Sequence, residues 1–251
     1  MNKDIDINIL RIEMKNYIKN AEKYGSEGML SNGCFELKCA IAKAEEIFHF
    51  TNSLDDKNML LEVYMKIAKF YFRIYTTTCN KKDILPSCMY YEKIIYFHEE
   101  ELKSSSIHVK ECLKQIMEAY VQLIWICLEV KDYQSFERFI NKANKYALKL
   151  LKKTKVYEDE QYYILINVFK GDYFKAIKKY RYAYLYYYIA MKKIKKIYSK
   201  IHDVGILNDL ILIYNDLSEV AKLLKRNNDK IKWDNNVNKL QKESEMFTND
   251  K

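Results

Sequence analysis

The chain has very few residues that can turn it sharply. Only five glycines and a single proline, Pro86, occur in 251 residues. Sheets with tight turns need more of both, because glycine supplies positive φ angles and proline presets the first turn residue. Apolar residues recur instead at helical spacing, as in LLEVYMKIAKFYFRIY over residues 60–75. The chain is therefore predicted to be all-α.

About nine antiparallel helices are predicted from this periodicity and from the breakers that interrupt it. The predicted spans are 4–23, 34–51, 56–78, 87–103, 107–130, 133–153, 157–200 with a break inside it, 203–226 and 229–246. Gly25, Gly28 and Gly33 are predicted to separate the first two helices. We expect one domain over residues 1–246 and a flexible tail over 247–251.

The chain is basic, with a formal net charge of +9 and a sequence pI near 9.0. Clustered lysine and arginine would favour nucleic acid, because they neutralise phosphates. Here the lysines run the whole length, without an arginine-rich arm, a zinc finger or an RNA-binding signature. A nucleic-acid partner is therefore not favoured, and an acidic or phosphorylated protein partner fits the charge.

Cysteines and histidines form no pattern of a catalytic or metal site. The six cysteines contain no CxxC pair, and the four histidines lie near no nucleophile motif. FHEEE, residues 97–101, lacks the HExxH spacing that places two imidazoles on one face, so an exposed polar helix face is expected there. We expect no catalysis, no cofactor and no metal.

The sequence also indicates where the protein works. Its first residues are polar, and no apolar run approaches the roughly 18 residues of a membrane span. We therefore predict a cytoplasmic protein with no membrane partner.

Residues 168–180, VFKGDYFKAIKKY, allow two interpretations. In one, Gly171 and Asp172 turn the chain between two helices, as in tetratricopeptide repeats. VKDYQSFERFINKA, residues 130–143, echoes that pattern, although forty residues separate Asp132 from Asp172 against a family period of about 34. This interpretation implies a scaffold for protein–protein interaction without dependence on phosphate. In the other interpretation, the stretch is one helix that aims Lys175 at an anion.

As one helix, KGDYFKA resembles the phosphate-binding segment of the 14-3-3 family. Three further segments resemble that family in the same order: NAEKYGSEGM (20–29), NMLLEVYMKIAKFYFR (58–73) and HDVGILNDLILIYNDL (202–217). The resemblance implies a concave, 14-3-3-like (tetratricopeptide-related) array of helices that acts as a signalling adapter for phosphoserine or phosphothreonine peptides. It also implies a homodimer formed through the N-terminal helices.

The resemblance assigns phosphate binding to Lys66, Arg73 and Lys175. Lys66 and Arg73 are seven residues apart, so they lie on one helical face about 10 Å apart along the axis. A phosphorylated side chain carries about −1.5 to −2 charge and three strong acceptors, which suits such a cluster. Lys175 and Ala176 stand where the family has arginine and tyrosine, so weaker phosphate binding is expected, by about tenfold or more.

The peptide itself is assigned to the helix that contains residues 203–226. Asn208 stands on the family's asparagine, and its amide can bind a peptide main chain as both donor and acceptor. Leu207 and Ile211 are expected to form an apolar groove wall. The last helix, with WDNNVNKLQK at 233–242, departs from the family. One wall of the groove, with its second peptide-binding asparagine, is therefore expected to be missing or replaced.

Overall fold

The computed structural model describes residues 6–104, 108–153 and 156–249. These ranges contain no strand, so the predicted all-α class is confirmed. The helices are α1 (Ile7–Ser26), α2 (Leu30–Thr51), α3 (Leu54–Thr78), α4 (Leu85–Ser104), α5 (Val109–Val130), α6 (Tyr133–Lys153), α7 (Tyr157–Ala176), α8 (Tyr180–Ile201), α9 (Val204–Leu223) and α10 (Asn227–Asn249). A 3₁₀ turn, Lys81–Ile84, precedes α4. None of the described helices combines the length and apolar character needed to cross a bilayer.

The tenth α-helix arises because the predicted span 157–200 is two helices. α7 ends at Ala176 and α8 begins at Tyr180. Between them Lys178 takes a left-handed conformation with φ 60°, and the Lys179 amide donates to the Phe174 carbonyl at 2.8 Å. This bond closes the end of α7 in the usual way for a left-handed cap.

Two of the three glycines predicted as breakers lie inside helices. Gly25 belongs to α1 and Gly33 to α2, and a Cβ on either one would collide with the ring of Phe70. These positions need glycine because the ring occupies the space, not because the chain turns. Only Gly28, with φ 77°, lies in the turn itself. α1 and α2 are therefore longer at this corner than predicted.

The chain termini also differ from the prediction. Within the described residues α1 begins at Ile7, where the Asp6 side chain accepts a hydrogen bond from the Asn8 amide. The start predicted at residue 4 lies outside the described residues. α10 continues to Asn249, so the tail predicted over 247–251 is helical over most of its length. Its last two residues lie outside the described ranges.

The helices divide into two compact units, Met1–Ile126 and Cys127–Lys251, and α5 contains the boundary. In unit 1, helices α1 to α4 follow one another, each packed on the next. In unit 2, α6 to α10 do the same, and a single apolar cluster from α7 to α10 includes Tyr187, Tyr214 and Trp233. The single domain expected over residues 1–246 stays a prediction.

Both units use the same short connections. Three residues join α1 to α2, α7 to α8 and α9 to α10, and the middle residue of each is left-handed: Gly28, Lys178 and Lys225. Two residues join α2 to α3 and α8 to α9. In these, a left-handed residue closes one helix, and the side chain of Ser53 or Asp203 then caps the next. Such short connections reverse the chain direction, which gives antiparallel neighbours.

Candidate binding grooves

Each unit contains a groove lined mainly by two alternate helices. In unit 1 the α3/α5 groove has a volume of about 560 Å³, and α4 contributes Ile94 and His98. In unit 2 the α7/α9 groove has a volume of about 280 Å³, and α8 contributes Ile194. The lining residues of each wall recur at helical spacing, since they share one face of their helix.

The α3/α5 groove is lined by charges of both signs. Lys66 and Lys69 come from α3, and Glu111 and Glu118 come from α5. Carboxylates and ammonium groups therefore share one surface, and an anion in this groove would meet both.

The α7/α9 groove is mostly apolar. α7 contributes Ile164, Leu165 and Val168, and α9 contributes Leu212 and Ile213. Leu212 leaves 61% of its surface exposed at the wall of the groove, so it adds to the apolar surface there. The polar lining includes two aspartates, Asp209 and Asp216.

The structure brings Lys66 and Arg73 to one side of α3, as the seven-residue spacing predicts. Lys66 Nζ lies 2.6 Å from Glu22 Oε1. The Arg73 guanidinium donates to the Gly25 carbonyl at 3.2 Å. Both partners belong to α1 and lie three residues apart, so the two cations face the same neighbouring helix. Each cation already has an acceptor there.

Lys175 lies in unit 2, among carboxylates. Its Nζ is 3.2 Å from Asp216 Oδ1 and 3.0 Å from Glu219 Oε2. Burial alone would lower the pKa of Lys175, but the hydrogen bond and charge of Glu219, together with Asp216, raise it. A phosphate would have to displace both carboxylates to reach this ammonium group. Phosphate binding by Lys66, Arg73 and Lys175 stays a prediction.

The stretch 168–180 follows neither of the two interpretations fully. Gly171 and Asp172 lie inside α7 instead of in a turn, and the helix ends at Ala176 instead of running through the stretch. A Cβ on Gly171 would lie 2.5 Å from a ring carbon of Tyr187. The Tyr187 hydroxyl donates to Asp172 at 2.5 Å. Gly171 therefore leaves room for the ring of Tyr187 from α8, and Asp172 accepts the hydrogen bond of its hydroxyl group.

The residues assigned to the peptide are divided between surface and core. Asn208 is exposed, and its Oδ1 accepts from the Ser244 hydroxyl at 3.3 Å. Leu207 and Ile211 are buried in the core cluster of unit 2, where they contact other side chains instead of a groove. The exposed apolar residue of this turn is Leu212, one position later. The sequence does not single out Leu212, because four consecutive apolar residues, LILI over 210–213, do not show which of them faces outward.

His98 also lies in an environment that the sequence did not suggest. The exposed polar face expected for FHEEE is wrong for this histidine, which is only 5% exposed. Its neighbour Glu101 forms an ion pair with Lys57 at 2.5 Å, with both side chains largely buried. Burial lowers the pKa of His98, and the Lys57 charge acts in the same direction.

The fold of this chain is similar to that of a solved structure. The crystal structure of BtubC (BKLC) from P. vanneervenii matches with a TM-score of 0.54 at 13% identity, covering 95% of this chain and 92% of that one. The de novo designed helical repeat protein DHR64 matches at 10% identity over 97% of this chain and 96% of that one, but its TM-score of 0.25 carries no argument. No protein-family model and no curated protein matches the sequence.

The match to BtubC shows an all-helical fold. None of the comparisons supports the 14-3-3 resemblance specifically, and the tetratricopeptide-like interpretation stays a prediction.

Proposed function

We propose that this protein is a cytoplasmic scaffold, without catalysis of its own, that binds a segment of a partner protein in the α7/α9 groove. The observation that carries this proposal is the apolar lining of that groove, with Leu212 exposed at its wall. A partner side chain that covers this lining removes apolar surface from water. Helical-repeat folds commonly present such surfaces between neighbouring helices.

The charges at the groove favour a basic segment. Among the described residues no cation pairs with Asp209, and burial together with Asp203 raises the pKa of its carboxyl group. Asp216 must share Lys175 with Glu219. A lysine or arginine of a bound partner would supply the missing positive charge. The partner segment therefore combines apolar side chains with basic ones.

Selection from a random peptide display library tests this proposal. The library is selected on the wild-type chain after depletion on Leu212→Asp, and binding of enriched peptides is measured by fluorescence anisotropy. Leu185→Asp is the matched control, because Leu185 of α8 is 50% exposed and does not line the groove. We expect basic, apolar peptides whose binding is lost in Leu212→Asp and kept in Leu185→Asp. Enrichment of acidic peptides, or equal loss in both variants, would contradict the proposal.

A phosphopeptide adapter is the second candidate function. It is supported by Lys66 and Arg73, which face the same side of α3 with Lys69 nearby in the α3/α5 groove. Anisotropy with a phosphoserine peptide and its unphosphorylated twin tests it, using Lys66→Glu with Arg73→Glu. Phosphate-dependent binding that this double variant abolishes supports the adapter. Equal binding of the twin peptides counts against it.

A homodimer through the N-terminal helices is part of the same proposal. Ile9 and Ile12 lie one turn apart on α1 and are both exposed, and Phe35 of α2 is exposed as well. Contiguous exposed apolar residues, such as Ile9 and Ile12 on one turn, are found at interfaces. Light scattering on wild type and on Ile12→Glu tests the dimer, because a buried glutamate would dissociate it. A monomeric wild type would exclude it.

A further inference from the structure

Three potential metal ligands meet inside unit 1. His98 and Glu101 lie one turn apart on α4, and Cys112 reaches them from α5. One ligand atom of each residue lies within 4.8 Å of the others. His98 and Cys112 are only 5% and 3% exposed, so the cluster is not an accidental meeting of surface side chains.

The imidazole of His98 has an unsatisfied atom. Its Nδ1 is buried and has no hydrogen-bond partner, and the nearest carboxylate oxygen, Glu101 Oε2, is 3.7 Å away. A buried polar nitrogen without a partner destabilises the folded chain, because it has lost its hydrogen bond to water. The nitrogen would be satisfied by a cation that coordinates it, because a neutral imidazole offers one lone pair.

We propose that His98, Glu101 and Cys112 bind a divalent transition-metal ion, with Zn²⁺ as the best match. The donors are one imidazole nitrogen, one carboxylate oxygen and one thiolate sulfur, a set that Zn²⁺ accepts in tetrahedral geometry. Three protein ligands leave a fourth position for water. His98 also lines the α3/α5 groove, which gives ion and water a route to the site.

Lys57 is the group that competes with the ion. Its Nζ lies 2.5 Å from Glu101 Oε2 and 3.4 Å from the Phe97 carbonyl oxygen. Metal binding requires that the ion and Lys57 share the Glu101 carboxylate, while Lys57 keeps the Phe97 carbonyl as a second acceptor. The Cys112 thiol loses its proton to solvent when its sulfur coordinates the ion. With the ion bound, Glu101 and the Cys112 thiolate supply two negative charges, while the metal and Lys57 supply three positive ones, so the site carries a net charge of +1.

Titration of the full chain with Co²⁺ tests the site. Cobalt bound to a thiolate gives a charge-transfer band in the near ultraviolet, and tetrahedral cobalt gives intense visible bands. We expect both spectra at a stoichiometry of one ion per chain, and Zn²⁺ should abolish them by competition. Thermal unfolding with and without Zn²⁺ gives a second readout, because an ion that binds only the folded chain raises the melting temperature.

Variants assign the ligands. Cys112→Ser should remove the thiolate band. His98→Gln removes a direct ligand and should weaken Co²⁺ binding by more than about tenfold, because even a side chain that only hydrogen-bonds to a ligand contributes about 10- to 100-fold. Cys127→Ser and His49→Gln are the matched controls, because Cys127 is a buried cysteine of the same helix and His49 lies outside the cluster. The proposal is overturned if no thiolate band appears, or if the band survives Cys112→Ser in a chain that circular dichroism shows to be folded.

Discussion

The aromatic ring of Tyr187 packs against the bare backbone of Gly171. A Cβ built on Gly171 would lie 2.5–2.7 Å from three carbons of that ring. The next residue, Asp172, accepts the hydrogen bond of the same tyrosine. The side chain of Tyr187 in α8 therefore accounts for the presence of glycine and then aspartate at two consecutive positions of α7.

Replacement of Gly171 by alanine is expected to destabilise the protein by about 1–3 kcal/mol, because the new methyl group overlaps the Tyr187 ring. The direction is informative, since alanine within a helix ordinarily gains about 1 kcal/mol over glycine. Urea unfolding followed by circular dichroism measures the effect. In a double-mutant cycle with Tyr187→Leu, the penalty should largely disappear. A more stable Gly171→Ala variant would show that the ring does not occupy this space.

Asp172 is expected to make stability fall as pH rises above about 4. Burial raises the pKa of its carboxyl group, and the Tyr187 hydrogen bond and Lys175 charge offset this only in part. A raised folded pKa means that the protonated form favours folding, and that this contribution is lost as pH rises through the folded pKa. Asp172→Asn keeps the acceptor for Tyr187 and removes the charge. It should be more stable than wild type at pH 7 and equal to it near pH 3.

The Tyr187→Phe variant provides the comparison for that experiment. It retains the ring against Gly171 and removes the donor to Asp172, so it should lose about 1–3 kcal/mol at neutral pH. Urea midpoints across the pH range give both results. If the plots of urea midpoint against pH for Asp172→Asn and wild type run parallel from pH 3 to 7, Asp172 does not have a raised pKa in the folded state.

Asp56 should have the opposite pH dependence. Burial would raise the pKa of its carboxyl group, but hydrogen bonds from Thr51, Ser53 and Arg11 lower it overall. Arg11 donates to both carboxylate oxygens, at 3.0 and 2.9 Å. For a carboxyl group with a lowered folded pKa, the stabilisation is complete above the unfolded value near 4 and is lost as pH falls through the folded value.

The matched pair Asp56→Asn and Asp55→Asn tests this carboxylate. Asp55 is the exposed neighbour in the same helical turn. We expect Asp56→Asn to cost about 1–3 kcal/mol at pH 7, since charge-assisted hydrogen bonds are lost. The difference from wild type should shrink below pH 4, and Asp55→Asn should change little. Equal effects of the two variants would rule out a special role for the Arg11 pair.

Lys178 offers a stabilising substitution. Its φ of 60° costs about 1–2 kcal/mol for a residue with a Cβ, and glycine avoids that cost. Lys178→Gly should therefore stabilise the protein by about 0.5–1 kcal/mol. Lys179→Gly is the control, because Lys179 has an ordinary φ of −87° and gains nothing from glycine. Thermal melts of both variants decide the matter, and a lower melting temperature for Lys178→Gly would refute the prediction.

Helices were predictable where the apolar period is long and unbroken. Ser53 and Asp203 also carry recognisable cap chemistry, so the starts of α3 and α9 fall within two residues of the predicted ones. The break after Ala176 was not located, because its left-handed residue is a lysine and no glycine marks it. A left-handed cap is set by backbone hydrogen bonds that any residue can make at some cost.

The glycines that lie inside helices were not predictable for a related reason. Gly25, Gly33 and Gly171 serve tertiary contacts with Phe70 and Tyr187, and nothing in the local sequence distinguishes such a glycine from a turn glycine. The cluster of His98, Glu101 and Cys112 was missed because its third member comes from the next helix. Spacing rules within one helix detect pairs, whereas this arrangement depends on how α4 and α5 pack.

The three-residue connection with a left-handed middle residue recurs after α1, α7 and α9. Because the same connection already joins helices at three places, duplication or deletion of a gene segment that encodes a helical hairpin would leave the joining geometry unchanged. Evolution can therefore lengthen or shorten such a chain by whole hairpins, while single-residue insertions inside a corner would misdirect the following helix. Among natural variants of this protein, we expect length differences to come in steps of one hairpin.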